Sequence, residues 1–274
     1  MNLRVLVDNN TLFSKFYYAE PGWSAYIECD NKNILFDTGY SGVFIKNAEK
    51  MGIDLCNLDY IVFSHGHIDH SWGLKYLLEL YKNNKYKKPT LIANKNVFDE
   101  KINDIGEQIG IDISEEEVQS FININLTDDC LKITDNLMYL GYINRDFDPN
   151  SNIPFGKTKI GGRLQADYIL DDTALVYKND EGIVIITGCS HSGITNIIEN
   201  SKKATERENI IDIIGGFHLF KNNPEQINNV KDYLQKECIK TIHPCHCTDL
   251  ISKIELSKII SIEEVGVGLE LNYT

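Results

Sequence analysis

The sequence predicts an α/β fold made of two related halves. In the first half, an apolar hairpin leads through a Thr-Gly pair to a helix-like segment, and then to an apolar strand that ends before His65. The second half repeats this order up to His218, so that Gly39 lies 26 positions before His65 and Gly188 lies 30 positions before His218. Two strand–helix units packed about a pseudo-two-fold axis account for the repetition. Chance similarity between two α/β segments is the alternative.

The first half begins with strands. Alternating or continuous apolar residues predict strands over 3–7, 25–29, 34–36 and 60–63. A polar turn joins the second and third of these into a β-hairpin. Apolar residues at helical spacing predict helices over 44–51, which Gly52 ends, and over 72–81.

The second half contains a second hairpin, a helix and further strands. The predicted strands are 173–177, 183–188, 210–214, 240–242 and one or two closing strands within 260–271. A helix is predicted near 194–200. The chain shows neither a linker nor a low-complexity segment, which favours a single domain over residues 1–274.

Composition restricts the class of protein. The 274 residues are 42% hydrophobic, enough for a substantial core, and the net charge of −13 argues against a general nucleic-acid-binding surface. The start of the chain lacks the apolar segment of a signal peptide, and no stretch is long enough to span a membrane. Seven cysteines without framework spacing indicate reduced thiols. We therefore expect a cytoplasmic protein that acts on a small molecule and binds neither nucleic acid nor membrane.

Residues 65–70, His-Gly-His-Ile-Asp-His, are the strongest functional signal in the chain. Three of its seven histidines fall here, directly after an apolar strand. Burying imidazoles and a carboxylate without partners is unfavourable, and a divalent metal removes that cost. The spacing favours His65 and His67 on one ion, with Asp69 and His70 on a second. Nitrogen and carboxylate ligands suit Zn²⁺, Fe or Mn²⁺. An exposed polar loop that happens to be rich in histidine is the alternative.

Two motifs together resemble the metallo-β-lactamase superfamily. They are Leu-Phe-Asp-Thr-Gly at 35–39 and Ser-His-Gly-His-Ile-Asp-His at 64–70. Further stretches resemble its branch of dihydropterin-ribofuranosylaminobenzene-phosphate synthase-like metal-dependent hydrolases, and these stretches are 7–10, 187–194, 215–219 and 245–248. The resemblance spans essentially the whole chain. It implies an αββα sandwich with a dinuclear metal site at one edge of the sheets.

The resemblance also implies roles for individual residues. It places metal ligands at His65, His67, Asp69, His70 and His246. It makes Asp37 the residue that orients the histidine-rich loop.

The chain departs from the superfamily pattern after residue 70. Residues 71–190 contain no histidine, and Cys189 stands where a bridging aspartate is expected. Either the Cys189 thiolate is a ligand and His191 replaces the missing histidine, or Cys189 is a buried free thiol and His191 alone completes the site. His218 is interpreted as an active-site acid/base or substrate contact, with a structural histidine as the alternative.

These observations predict a metal-dependent hydrolase with two divalent ions, zinc in the first place and Fe or Mn as alternatives. Asp69 and His218 are the expected catalytic residues, and water ionised by the metals is the expected nucleophile. The resemblance implies a small substrate, phosphorylated or pterin-like. Segment 142–168 is interpreted as a loop whose basic residues steer a phosphate, or as a plain solvated loop.

Two other classes compete with the hydrolase. A non-hydrolytic diiron redox protein shares the superfamily fold, but it carries a flavin domain and usually a glutamate where this chain has His67. A non-catalytic metal-binding or sensing module is the second. Bound iron with oxygen consumption would identify the redox protein. Bound metal without turnover would identify the binding module.

Overall fold

The computed structural model describes residues 1–237 and 239–274. Contacts within the chain divide it into two compact units. Unit 1 consists of residues 1–128, 154–171 and 266–274, and unit 2 consists of residues 129–153 and 172–265. The organisation of both as a single domain stays a prediction.

The described residues form strands throughout the chain. They are β1 (Asn2–Val7), β2 (Ser24–Cys29), β3 (Lys32–Phe36), β4 (Tyr60–Val62), β5 (Thr90–Ala93), β6 (Lys101–Ile102), β7 (Asn123–Leu126), β8 (Leu131–Lys132), β9 (Leu137–Tyr139), β10 (Lys157–Ile160), β11 (Arg163–Ala166), β12 (Ala174–Lys178), β13 (Ile183–Thr187), β14 (Ile210–Gly216), β15 (Ile239–Cys245) and β16 (Glu270–Asn272).

The α-helices lie between these strands. They are α1 (Val43–Lys50), α2 (Ile68–Ser71), α3 (Leu74–Asn83), α4 (Glu115–Gln119), α5 (Ile194–Thr205), α6 (Pro224–Leu234) and α7 (Leu250–Leu256). No helix in the part of the chain described here has the length and apolar composition that a membrane span requires.

The main sheet of unit 1 has the strand order β16-β1-β2-β3-β4-β5-β7. The predicted hairpin is confirmed, since β2 and β3 pair antiparallel around a turn in which Asp30 and Asn31 adopt left-handed φ values of 49° and 60°. From β3 to β7 the neighbours run parallel. Parallel strands end at the same edge of a sheet, so the residues that follow β3 and β4 are brought side by side.

The core of unit 1 lies between this sheet and its helices. Leu35 of β3 and Ile61 of β4 are fully buried in one cluster with Phe44 of α1 and with Leu74 and Leu77 of α3. The predicted helical spacing therefore presents the apolar face of α3 to the sheet. This packing holds β4 and the loop that follows it in place.

Unit 1 also contains a small sheet in the order β11-β10-β6. Strands β10 and β11 form a hairpin closed by Gly161 and Gly162, both with positive φ. The interpretation of 142–168 as a loop is therefore wrong over 157–166. These two strands were not predicted because their exposed Lys, Arg and Gln side chains give the segment the composition of a solvated loop.

The sheet of unit 2 has the order β15-β14-β13-β12-β9-β8. The second predicted hairpin is confirmed as β12 and β13, and β13, β14 and β15 run parallel. Strand β15 continues through Pro244, three residues beyond the predicted end, because it lies at the edge of the sheet, where a missing N–H is tolerated. The ends of the three parallel strands place Cys189, His218 and His246 at one edge of this sheet.

Candidate metal centre

The histidine-rich loop of unit 1 begins directly after β4. Asp37 follows β3, the parallel neighbour of β4, and therefore lies beside Ser64. The loop then enters the short helix α2, whose first turn carries Asp69 and His70. The pairing of β3 with β4 thus places the histidine-rich loop next to the carboxylate that supports it.

Asp37 connects several parts of this loop. Its carboxylate is fully buried and accepts hydrogen bonds from the Ser64 N–H, the Ser64 hydroxyl and Nδ1 of His70, all at 2.7 Å. Asp37 itself has a left-handed φ of 58°. Donation from Nδ1 leaves the lone pair of His70 on Nε2, the arrangement common for metal-bound histidine. These hydrogen bonds agree with the expectation that Asp37 orients the loop.

Three imidazoles of the loop converge. Nε2 of His65 lies 3.1 Å from Nδ1 of His67, and the ring centres of His65 and His70 are 4.2 Å apart. Two nitrogens bound to one tetrahedral zinc ion are about 3.3 Å apart, given Zn–N distances of about 2.0–2.1 Å. Burial lowers the pKa of His67 to about 4, so its ring is neutral at pH 7 and keeps a lone pair for a metal. The donor set fits a divalent ion.

Asp69 lies next to the third imidazole. Its Oδ1 is 3.9 Å from Nε2 of His70, and its side chain is 32% exposed. The structure thus brings together in unit 1 the four residues predicted as ligands from the loop. The carboxylate has the accessibility that a catalytic role requires.

A second buried carboxylate supports the loop from the other side. Asp171 accepts a hydrogen bond from the Gly66 N–H at 2.8 Å, and Lys101 donates to Asp171 at 2.9 Å and to Asp167 at 3.2 Å. Burial alone would raise the pKa of Asp171, but the adjacent Lys101 ammonium lowers it below its usual value. Asp171 therefore stays ionised and holds the loop backbone between His65 and His67.

Gly66 is required for close packing in the same place. A Cβ at this position would lie 2.3 Å from the carbonyl oxygen of Val97. No side chain fits there without movement of the backbone.

The corresponding residues of unit 2 follow its parallel strands. The Sγ atoms of Cys189 and Cys247 and a ring nitrogen of His218 all lie within 4.8 Å of one another. The ring centres of His191 and His218 are 4.2 Å apart. Unit 2 thus brings together Cys189, His191 and His218, and His246 precedes Cys247 in the chain.

The loop that carries His191 has its own carboxylate support. Asp172 accepts hydrogen bonds from the N–H of Ser192 at 2.8 Å and from its hydroxyl at 2.5 Å. Left-handed φ values occur at Ser190, His218 and His246. Non-glycine residues in this conformation are uncommon and concentrate at functional sites.

Cys247 is electrostatically unusual. Burial raises the pKa of its thiol, but hydrogen bonds with the Cys189 and His218 side chains and the nearby His246 bring that pKa well below its usual value. The surroundings of Cys247 therefore favour a thiolate.

His243 lies outside these groups. Its Nδ1 contacts Oδ1 of Asp212 on the neighbouring strand at 2.8 Å, and both side chains are buried. This pair gives His243 a structural role between two neighbouring strands.

Sequence reasoning did not find the residues that support the two loops. Lys101, Asp171 and Asp172 carry no motif, and Cys247 was not among the predicted metal ligands. One signal was present, because two adjacent aspartates, Asp171 and Asp172, stand directly before the predicted strand 173–177.

Comparison with known proteins places these motifs in a family. The sequence profile of the metallo-beta-lactamase superfamily matches residues 17–129. An uncharacterized protein of Methanocaldococcus jannaschii is 35% identical over 270 residues, which are 97% of this chain and 98% of that protein. The chain belongs to the metallo-beta-lactamase superfamily. The predicted fold class is confirmed, with a mixed α/β unit in each sheet-rich half.

Two further proteins similar to this chain have names that state an activity. One is Tm1679, whose crystal structure is described as that of a metal-dependent hydrolase of the beta-lactamase superfamily. Its sequence is 29% identical to this chain, the alignment covers 100% of this chain and 99% of Tm1679, and the TM-score is 0.85. A second Methanocaldococcus jannaschii protein, 7,8-dihydropterin-6-methyl-4-(beta-D-ribofuranosyl)-aminobenzene-5'-phosphate synthase, is 26% identical over 90% of this chain and 87% of its own. Members of the superfamily typically bind divalent metals, and most are hydrolases.

Substitution of Asp171 tests whether its hydrogen bond with the Gly66 N–H holds the loop. Replacing Asp171 with Asn puts an amide beside Lys101 and weakens the support of the Gly66 backbone. We expect zinc affinity to fall about 10–100-fold, as for other residues that orient metal ligands. Competition with a chromophoric chelator measures the dissociation constant.

Asp167→Asn is the matched control, because the Asp167 carboxylate also accepts from Lys101 but takes its backbone hydrogen bond from the Ile169 N–H and not from the histidine-rich loop. Equal zinc affinity in Asp171→Asn and wild type, with both proteins folded by circular dichroism, contradicts the assigned role.

Proposed function

We propose that this chain is a metal-dependent hydrolase that uses two divalent metal ions, zinc in the first place. The ligands we assign are His65, His67, Asp69, His70, Cys189, His191 and His246. The observation that carries the proposal is the 3.1 Å approach of Nε2 of His65 to Nδ1 of His67, in a loop whose third imidazole is oriented by Asp37. Carboxylate and imidazole donors held this way are characteristic of zinc sites.

When bound, the two ions would supply Lewis acidity, which lowers the pKa of water from about 15.7 to about 7 and makes hydroxide available at neutral pH. Asp69 is assigned to orient that nucleophile, because its carboxylate is next to His70 and is partly exposed. The rings of His65 and His67 are both buried, and the pKa of His67, lowered by burial to about 4, keeps its lone pair available for binding.

His218 is assigned the proton transfer to the leaving group. It follows β14 at the edge where the parallel strands of unit 2 end, and its φ is left-handed, at 50°. Its ring contacts those of His191 and Phe220. A histidine can protonate a leaving group near neutral pH, when its ring carries the proton.

The substrate we propose is a small phosphorylated or pterin-like molecule. The support is the relative named as a synthase of a dihydropterin ribofuranosyl-aminobenzene phosphate. Exposed Lys157, Lys159 and Arg163 on the β10–β11 hairpin add local positive charge to an acidic chain. Such charge attracts phosphorylated substrates over nonpolar ones.

Chelation tests the proposed activity directly. The protein is assayed with phosphodiesters, phosphomonoesters and lactones before and after exhaustive treatment with a chelator. We expect turnover of at least one class, its loss on metal removal, and its return with added zinc. Stoichiometric metal without turnover would indicate a binding module, and bound iron with oxygen consumption would indicate a redox protein. Turnover unchanged by complete metal removal contradicts the proposal.

The role of His218 predicts a dependence on the leaving group. For His218→Ala we expect kcat to fall about 10²–10⁴-fold with a poor alkoxide leaving group, because general acid catalysis is lost. With p-nitrophenolate, a good leaving group, the loss should be much smaller. Steady-state kinetics on paired phosphodiesters measure both values.

His243→Gln is the control for this series, since His243 pairs with Asp212 away from the group around His218. An equal loss with both leaving groups, accompanied by loss of bound zinc, would show that His218 is a ligand and not a proton donor.

A further inference from the structure

Two cysteine thiols and an imidazole meet in unit 2. Cys189 follows β13, His218 follows β14, and Cys247 comes two residues after the end of β15. Because these three strands are parallel neighbours, their carboxyl ends lie at one edge of the sheet. The two Sγ atoms and the ring nitrogen all lie within 4.8 Å of one another.

The backbone leaves room for this approach. A Cβ on Gly216 would lie 2.4 Å from Sγ of Cys247 and 2.6 Å from the carbonyl oxygen of Gly188. A glycine at the end of β14 is therefore necessary for Cys247 to reach Cys189, whose carbonyl oxygen is 3.4 Å from the Cys247 sulfur. The left-handed φ of 48° at His246 turns the chain immediately before Cys247.

Packing alone does not account for Cys247. Cys245, two residues earlier, is fully buried in β15, as cysteines that only fill space usually are. Cys247 is partly exposed and its sulfur faces another thiol and an imidazole. Polarizable sulfur donors and nitrogen clustered in this way are the ligand types that zinc and ferrous iron prefer.

We infer that Cys189 and Cys247 bind one divalent metal ion together as a pair of thiolates, with His218 beside them. Two thiolates on one zinc ion, at Zn–S distances of about 2.3 Å, are about 3.8 Å apart, which the observed separation allows. Binding releases the two thiol protons. The inference rests on the metal site of the proposed function and adds Cys247 to its ligands. It makes the site selective for zinc or ferrous iron over manganese or magnesium.

X-ray absorption at the zinc edge tests the thiolate pair. Zinc-loaded wild type should show a sulfur shell at about 2.3 Å besides nitrogen and oxygen at about 2.0–2.1 Å. In Cys247→Ser and in Cys189→Ser the sulfur shell should fall to about half, because one of two thiolates is lost, and it should vanish in the double variant. Cys245→Ser is the matched control and should keep the wild-type spectrum.

Alkylation of the wild-type protein gives a second readout that needs no variant. Bound zinc should protect Cys189 and Cys247 from iodoacetamide, as peptide mass spectrometry measures it. Exposed Cys130 should react with and without zinc.

The outcomes separate this inference from the proposed function. Zinc binding with an unchanged sulfur shell in Cys247→Ser, or with Cys247 alkylated as fast as in the metal-free protein, overturns the inference and leaves the hydrolase proposal standing. Wild type that binds no zinc overturns both.

Discussion

The buried carboxylate of Asp37 is the constraint on which the histidine-rich loop depends. A single side chain accepts hydrogen bonds from the backbone and hydroxyl of Ser64 and from Nδ1 of His70. An ionised carboxylate in a fully buried position is tolerated only when such donors satisfy it. In return, these bonds hold the first residues of the loop and the orientation of its last imidazole. The parallel pairing of β3 and β4 makes this possible, because it brings residue 37 beside residue 64.

The loops of both units share one physical design. Each follows parallel strands, and each is supported by a carboxylate that binds backbone N–H groups: Asp171 at Gly66 and Asp172 at Ser192. These two aspartates are adjacent in the sequence, and one residue, Thr173, separates them from β12. The two carboxylates are occupied by backbone N–H donors and, for Asp171, by Lys101, so that they hold the loops from outside the candidate donor groups.

Much of this could be predicted from local sequence. Both hairpins, the apolar strands and the apolar face of α3 are encoded by patterns within ten to twelve residues, where periodicity reports burial. The candidate ligands of the loop were visible for the same reason, since three histidines and one aspartate fall within six residues. The Asp171–Gly66 contact joins residues that are 105 positions apart in the sequence, and the contact of Cys247 with Cys189 joins residues 58 positions apart. No local sequence pattern can therefore predict either contact. The β10–β11 hairpin was missed because its exposed residues do not alternate with buried ones over their full length.

The central claim is that His65 and His67 share a metal ion through Nε2 and Nδ1, in a loop held by Asp37. Crystals of the zinc-loaded protein, with anomalous diffraction recorded on both sides of the zinc edge, test it most directly. We expect an anomalous peak about 2.0–2.1 Å from both of these nitrogens. Absence of any peak at the two histidines, in crystals whose zinc content has been verified, would contradict it.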